Sequence, residues 1–264
     1  MVSEFLRSWI NLQLFLVSNH EYGLNNIIKE ISQMQKIVIF GTGELAQRIF
    51  YYLKDAEDEV VAFSANKSNI SSEELLGLPV IPFENIEEKY PPGEFSMFIA
   101  LAYSEMNKKR TKFFDAAKTK GYDLYSFVHP STKIWDEFEM GENCFILAEN
   151  IIQPFVKIGD NVLIGSNNLI SHNTVIENNC FLTSNITLGG HITVGENSFI
   201  GLSATINQRV KIGKECIIGA GTLITKDVND KEVYAENSSK KLPQSSDEIS
   251  NIIKNSNAIY FSES

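Results

Sequence analysis

The chain has 264 residues, 43% of them hydrophobic and 21% charged, and its 33 acidic against 23 basic residues give a formal net charge of -10. That length holds one large domain or two modest ones, and the acidic balance excludes a general nucleic-acid binder, which needs a basic surface to neutralise phosphates. Three scattered cysteines are too few for a disulfide framework or a Cys-based zinc site and point to a reducing, cytoplasmic setting, and no apolar run reaches the roughly 18 residues of a membrane span.

Residues 1–34 form an N-terminal extension. Its segment from Phe5 to Val17 is apolar but is interrupted by Arg7 and Gln13, and no small-residue cleavage site follows, so it reads as an accessory helix rather than a signal peptide. Met34 stands directly before the first clear strand and offers a second translation start.

Gln35 to Phe40 is a β-rich run, Gly41-Thr-Gly-Glu-Leu-Ala46 follows it, and Leu45, Ile49 and Leu53 then repeat at helical spacing. A glycine turn between a strand and a helix lets backbone approach a phosphate while the helix start presents free N–H groups. The second strand, Glu59 to Ala65, ends at Asn66, where a dinucleotide enzyme wants a carboxylate for the ribose hydroxyl; this disfavours NAD. Leu78 to Pro82 and Met97 to Ala102 read as further strands, Lys108 to Lys118 as a helix, and Asp123 to Val128 as a last strand of a small α/β domain spanning residues 35–128. Tyr103, Asn107 and Arg110 follow a strand end, the edge where open α/β sheets bind ligands, and are candidate ligand contacts; Asn107 could equally cap the helix.

From Ile134 to Ile224 every sixth residue is aliphatic. The position four after each is mostly small or apolar, as at Cys144, Cys180, Ala204 and Cys216, so both point to one side of a strand. Three flat sides with tight corners make one coil of three hexads. The expected architecture is a triangular prism of about five stacked coils, roughly 25 Å tall, over residues 129–229, with a Ser/Asn-rich tail at 230–264. The cysteines share one column two coils apart, too far to pair, and read as core fillers.

The first corner repeats Gly141-Glu-Asn, Gly159-Asp-Asn and Gly195-Glu-Asn, which is turn chemistry with a structural role only. The second corner is mostly small (Gly165, Gly201, Gly219, Ala220) and leaves a lane for a long thin ligand. The third departs from both: Gln153-Pro-Phe, Ser171-His172-Asn173, Gly189-Gly190-His191, Asn207-Gln208-Arg209. His172 has Gly190 one coil above it and Asn173 has His191. A side chain beside a missing side chain makes a niche, where a neutral imidazole takes a proton from an attacking hydroxyl or amine and the Gly190 N–H stabilises an oxyanion. No third histidine joins His172 and His191, so no metal site is expected.

The hexads and the segment Gly219-Ala-Gly-Thr-Leu-Ile-Thr-Lys-Asp-Val228 resemble the hexapeptide-repeat acyltransferases, and with the G-T-G-E-L-A half the chain is similar to bacterial sugar O/N-acyltransferases over residues 35 to 242. The resemblance implies a Rossmann-like nucleotide-sugar-binding domain followed by a left-handed parallel β-helix. It further implies a homotrimer with the active site between prisms, acetyl-CoA as cosubstrate, and a nucleotide-linked sugar, bound for surface polysaccharide, as acceptor. Carried over by motif, His172 is the base, with Asn173 beside it where relatives often have a carboxylate or a second histidine. Gly190 and His191 lie one coil above, pantetheine runs beside Gly201, Ala204, Gly219 and Ala220, and Lys211, Lys226, Lys240 and Lys241 are available to CoA phosphates. Gly41, Gly43 and Glu44 hold the nucleotide, with Asn66, Tyr103, Asn107 and Arg110 as further substrate contacts. Glu236-Asn-Ser-Ser-Lys240 replaces the family's closing G-N-P-A-K turn. The competing readings are a non-catalytic trimeric scaffold and a nucleotide-sugar-binding protein.

Overall fold

The computed structural model describes residues 36–235 together with Pro243, Ser245 and Ser246. The extension, Met34, Lys240 and Lys241 lie outside the described residues.

The first part is a five-stranded sheet. Its elements are β1 (Lys36–Phe40), α1 (Glu44–Asp55), β2 (Glu59–Ala65), β3 (Glu74–Leu75), β4 (Leu78–Pro82), β5 (Phe95–Ile99) and α2 (Lys108–Thr119). The strand order is β3-β4-β2-β1-β5, parallel except for the β3–β4 hairpin. Alternation along β1 explains the layering: Ile37 and Ile39 pack with Ile49 and Leu53 of α1, while Val38 and Phe40 pack with Phe113 and Ala117 of α2.

The second part is the prism. Three parallel sheets of five, seven and five two-residue strands stack along it, and this architecture fits a left-handed β-helix. Successive coils pair in a constant 18-residue register, as in Lys157↔Val175, Leu163↔Phe181 and Leu169↔Thr187. The aliphatic positions from Ile146 to Ile224 all lie in one buried core with Cys144, Cys180 and Cys216. Removing such a side chain, as in Ile→Ala, costs about 2–5 kcal/mol in a packed core.

Corners turn by a left-handed residue. Every sixth residue from Asn143 to Gly221 has positive φ, and seven of these are asparagine, which tolerates the conformation. Phe155 (φ 65), His191 (φ 59) and Arg209 (φ 63) of the third corner adopt it too, where a bulky side chain gains nothing from the turn.

Three features differ from the sequence expectation. Phe127–Val128 pairs with Phe145–Ile146 and so opens the prism's seven-stranded sheet, leaving only a single bridge, Met97↔Leu124, as the small sheet's last pairing. Ile134, the first hexad residue, is 42% exposed, because no coil covers that end. The final coil is two residues short: Ile217 pairs with Val233 and Ile212 with Val228.

The α/β part docks on the seven-stranded face. Phe145 and Leu163, on the outer surface of the prism, are buried in the same cluster as α1, and Tyr103 packs against Phe199 at 4.6 Å and Phe181 at 6.0 Å. Lys108–Glu215 and Lys118–Glu142 cross the junction as exposed ion pairs, which water and salt screen, so they add little to the docking. Among the described residues no helix is long and apolar enough to cross a membrane.

Candidate active site

His172 occupies the middle of a third-corner turn. Its backbone N–H donates to Gln153 Oε1 at 3.0 Å, and the next amide, Asn173 N–H, donates to Pro154 O at 3.3 Å, so the preceding coil fixes the turn from below. The imidazole is exposed. Its Nδ1 lies 3.0 Å from Asn173 Oδ1; with that oxygen accepting, Nδ1 carries the hydrogen and Nε2 keeps its lone pair. Asn173 thus orients the ring without the charge a carboxylate would place beside an imidazolium.

Gly190 is shaped by that ring. A Cβ on Gly190 would lie 2.7 Å from both Cε1 and Nε2 of His172, closer than real Cβ atoms approach. The neighbouring Gly189 is glycine for a different reason: its Cβ would meet the backbone N of Gln208 at 2.6 Å. One glycine lets coils stack; the other makes room for an imidazole. Several turns satisfy their middle amide with a side chain, as Asp160 N–H does with Asn178 Oδ1, but the Gly190 N–H has no acceptor among the described residues. A free donor therefore sits beside a free lone pair. His191 closes one flank, its ring edge-on to that of His172 at 5.1 Å between centroids.

The second corner lies across the face that carries Ile151, Leu169, Thr187, Thr205 and Leu223. The amides of Ser184, Leu202 and Ala220 in this corner have no acceptor among the described residues, which makes a ribbon of donors along the lane. Gly201 is held to glycine by Ala220 N, which a Cβ would meet at 2.6 Å, while a Cβ on Gly219 would make a tight contact with Tyr234 O at 3.0 Å. One chain therefore brings together His172, Asn173, Gly190 and His191, with Lys226 farther up the same corner, but not the lane residues Gly201, Gly219 and Ala220. Lys211 lies on a third face and is exposed, its N–H on Asp227 Oδ1. Ala204, expected along the lane, is wholly buried in the core, because the position four after a hexad aliphatic points inward.

At the sheet's C-terminal edge Gly41, Gly43, Glu44 and Asn66 gather at the ends of β1 and β2. Gly41 has φ +129, donates to Ser64 O at 2.7 Å, and would place a Cβ 2.8 Å from Ala100 O. Gly43 meets nothing within 4 Å. Packing explains the first glycine; the second is the N-cap of α1, where glycine is favoured, and it borders open space.

Asn107 and Arg110 require correction as ligand contacts. Both are wholly buried: Asn107 Nδ2 donates to Asn179 O at 2.5 Å, and Arg110 Nη2 donates to Asn161 O at 2.7 Å and Cys180 O at 3.3 Å. They bind the prism, not solvent. The first corner, read as turn chemistry alone, supplies their partners: Asn143, Asn161 and Asn179 form a buried side-chain ladder at 2.7 and 2.8 Å, and Asn143 Oδ1 accepts from Ile99 N–H at 2.8 Å. Gln153 was also missed; the signal was its place at the start of the one irregular corner.

Burial pushes the Cys144 and Cys180 thiols up to about 12, and raises Cys216 as well, so none is a ready nucleophile. Among the described residues no group of three or more His, Cys, Asp or Glu could hold a metal ion.

The family model described as GMPPB C-terminal domain matches residues 140–259. No curated relative matches the chain. Among solved structures, a histidine-to-asparagine mutant of perosamine N-acetyltransferase from Caulobacter crescentus, in complex with CoA and GDP-perosamine, matches at 25% identity. The match covers 76% of this chain and 93% of that one, with TM-score 0.67. The chain resembles the sugar N-acetyltransferases of the hexapeptide-repeat family. In fold it also matches the acetyltransferase domain of PglB from Neisseria gonorrhoeae in complex with acetyl coenzyme A (21% identity, 79% of this chain, 99% of that chain, TM-score 0.69). WeeI from Acinetobacter baumannii matches at 21% identity, with 75% and 95% covered and TM-score 0.67.

Proposed function

We propose that this chain transfers an acetyl group from acetyl-CoA to an amine of a nucleotide-linked sugar, with His172 as general base. The observation that carries the reading is the imidazole seated against Gly190, which puts a free lone pair beside a free N–H. The acceptor nitrogen attacks the thioester carbon while Nε2 takes its proton; the C–N bond forms, and the oxyanion is met by Gly190 N–H. Collapse breaks the C–S bond, and the imidazolium returns the proton to the leaving thiolate.

The lane's unaccepted amides suit the carbonyl groups of pantetheine, and Lys226 stands available to CoA phosphates. Because lane and niche occupy different corners, the complete site joins His172 of one chain to the lane of a second, which a homotrimer provides. The Rossmann-like part would hold the nucleotide at Gly41, Gly43 and Glu44, with Asn66 and Tyr103 at the rim. This reading sets the enzyme in the cytoplasm, modifying precursors of a surface polysaccharide.

Incubation with acetyl-CoA and a panel of UDP-, GDP- and dTDP-linked sugars, amino and unmodified, read by mass spectrometry, tests the reaction. One added acetyl group on amino members is expected. Acetylation of the unmodified sugars alone would make it an O-transferase, and no acetylation with no CoA binding would leave a scaffold.

The nucleotide half has its own test. Gly43→Ala should cost no more than about 1 kcal/mol of stability, the handicap of alanine at a helix N-cap, since the added methyl meets open space, yet weaken nucleotide-sugar binding. Gly41→Ala should instead cost about 1–3 kcal/mol of stability, from its φ and the Ala100 carbonyl. Thermal melts beside titration calorimetry separate the two; unchanged binding by Gly43→Ala would move the nucleotide elsewhere.

A further inference from the structure

Arg110 is an anomaly for a buried charge. It is wholly buried, and among the described residues no carboxylate pairs with it and only Nη2 finds acceptors, while Nε and Nη1 find none. Its guanidinium carbon stands 6.0 Å from the Phe181 ring centre. Burying an unpaired charge is costly, and a hydrophobe of similar volume is often as stable or more so. Stability alone therefore does not account for arginine here.

The loop before it is strained. Glu105, Met106 and Asn107 take φ of 50, 54 and 60, three successive non-glycine residues in the left-handed region. Such runs persist only where surroundings over-determine them. Here the surroundings are the prism: Asn179 O holds Asn107, Asn161 O and Cys180 O hold Arg110, and Phe181 and Phe199 hold Tyr103.

These anchors have a particular height in the stack. Asn161 and Asn179 occupy the first corner one coil apart, and His172 occupies the third corner between them in the chain. The same loop forms the rim after β5, next to the glycine turn after β1. The loop thus ties the sheet's ligand-binding edge to the level of the imidazole.

We infer that Arg110, assisted by Asn107, is a positioning residue that sets the α/β part at the height on the prism where a bound nucleotide sugar presents its acceptor atom to the acyl-transfer niche. This rests on the functional reading above. It differs from a docking role in general, because it predicts a defect in turnover that binding and folding do not share.

The test compares wild type, Arg110→Met and Asn107→Gly, the last keeping the left-handed backbone while removing the amide. Thermal melting and calorimetric stoichiometry report folded sites; kcat is measured on the nucleotide sugar that wild type acetylates best. Expected is a kcat reduced about tenfold or more in Arg110→Met and less in Asn107→Gly, since small misplacements of reacting groups are costly. Kd and binding stoichiometry for the nucleotide sugar and for acetyl-CoA should match wild type. An unchanged kcat, or a kcat that falls only in step with lost binding sites, overturns the proposal alone. A wild type that binds neither ligand overturns the functional reading, and the positioning role with it.

Discussion

His172→Asn is expected to lower acetyl transfer by about 10²- to 10⁴-fold, the range that a positioned general base contributes. The ring is exposed and, among the described residues, bonds only to Asn173 Oδ1, so the melting temperature should stay near that of the parent. Asparagine fits this lattice and preserves the turn, whose His172 N–H to Gln153 bond is made by backbone. What disappears is the lone pair at Nε2. Acetyl-CoA titration should therefore be unchanged while steady-state turnover collapses. Turnover within a few-fold of wild type would assign the proton to another group.

Gly190→Ala should cost about 10²-fold in turnover with little loss of stability. The new methyl would fall 2.7 Å from Cε1 and Nε2 of His172. The imidazole is the free end of an exposed side chain, so it swings aside more cheaply than the coils part, and the base leaves its place by a distance that matters to proton transfer. Gly189→Ala is the contrasting case. Its methyl would meet backbone at Gln208 N, which cannot rotate away, so stability rather than turnover should suffer, by several kcal/mol. Melting curves and kcat should therefore separate the two variants, one losing turnover and the other stability.

The prism was legible because its signal is local and repeated. A residue every sixth position on one inner column forces the same burial in each coil, and Ile146 through Ile224 obey it. The niche was legible for the same reason, since a fixed 18-residue register by itself places Gly190 over His172. Asn107 and Arg110 were misread because their burial depends on a second surface. A polar residue after a strand looks like a ligand contact until the prism face covering it is in view. The ladder of Asn143, Asn161 and Asn179 hid behind its ordinary role as left-handed corner residues, which gives no hint that the side chains bond one another and meet the α/β part. Ala204 was a conflict within the sequence itself: its inward column excluded it from an outer lane.

The left-handed positions sharpen one further point. Asparagine fills half of them, yet the third corner carries Phe155, His191 and Arg209. These side chains are not what the turn prefers, and they share the corner that holds the niche. Local preference was overridden at three turns of the corner where the chemistry is proposed.

The most direct measurement is a double-mutant cycle on kcat with His172→Asn, Gly190→Ala and both together, using acetyl-CoA and an acetylated member of the sugar panel. If the glycine serves the imidazole, adding Gly190→Ala to His172→Asn should change kcat by less than about threefold, because the group it displaces is already gone. Full multiplication of the two single losses would contradict the account, since it would mean that the two residues act apart and that the niche is not one device.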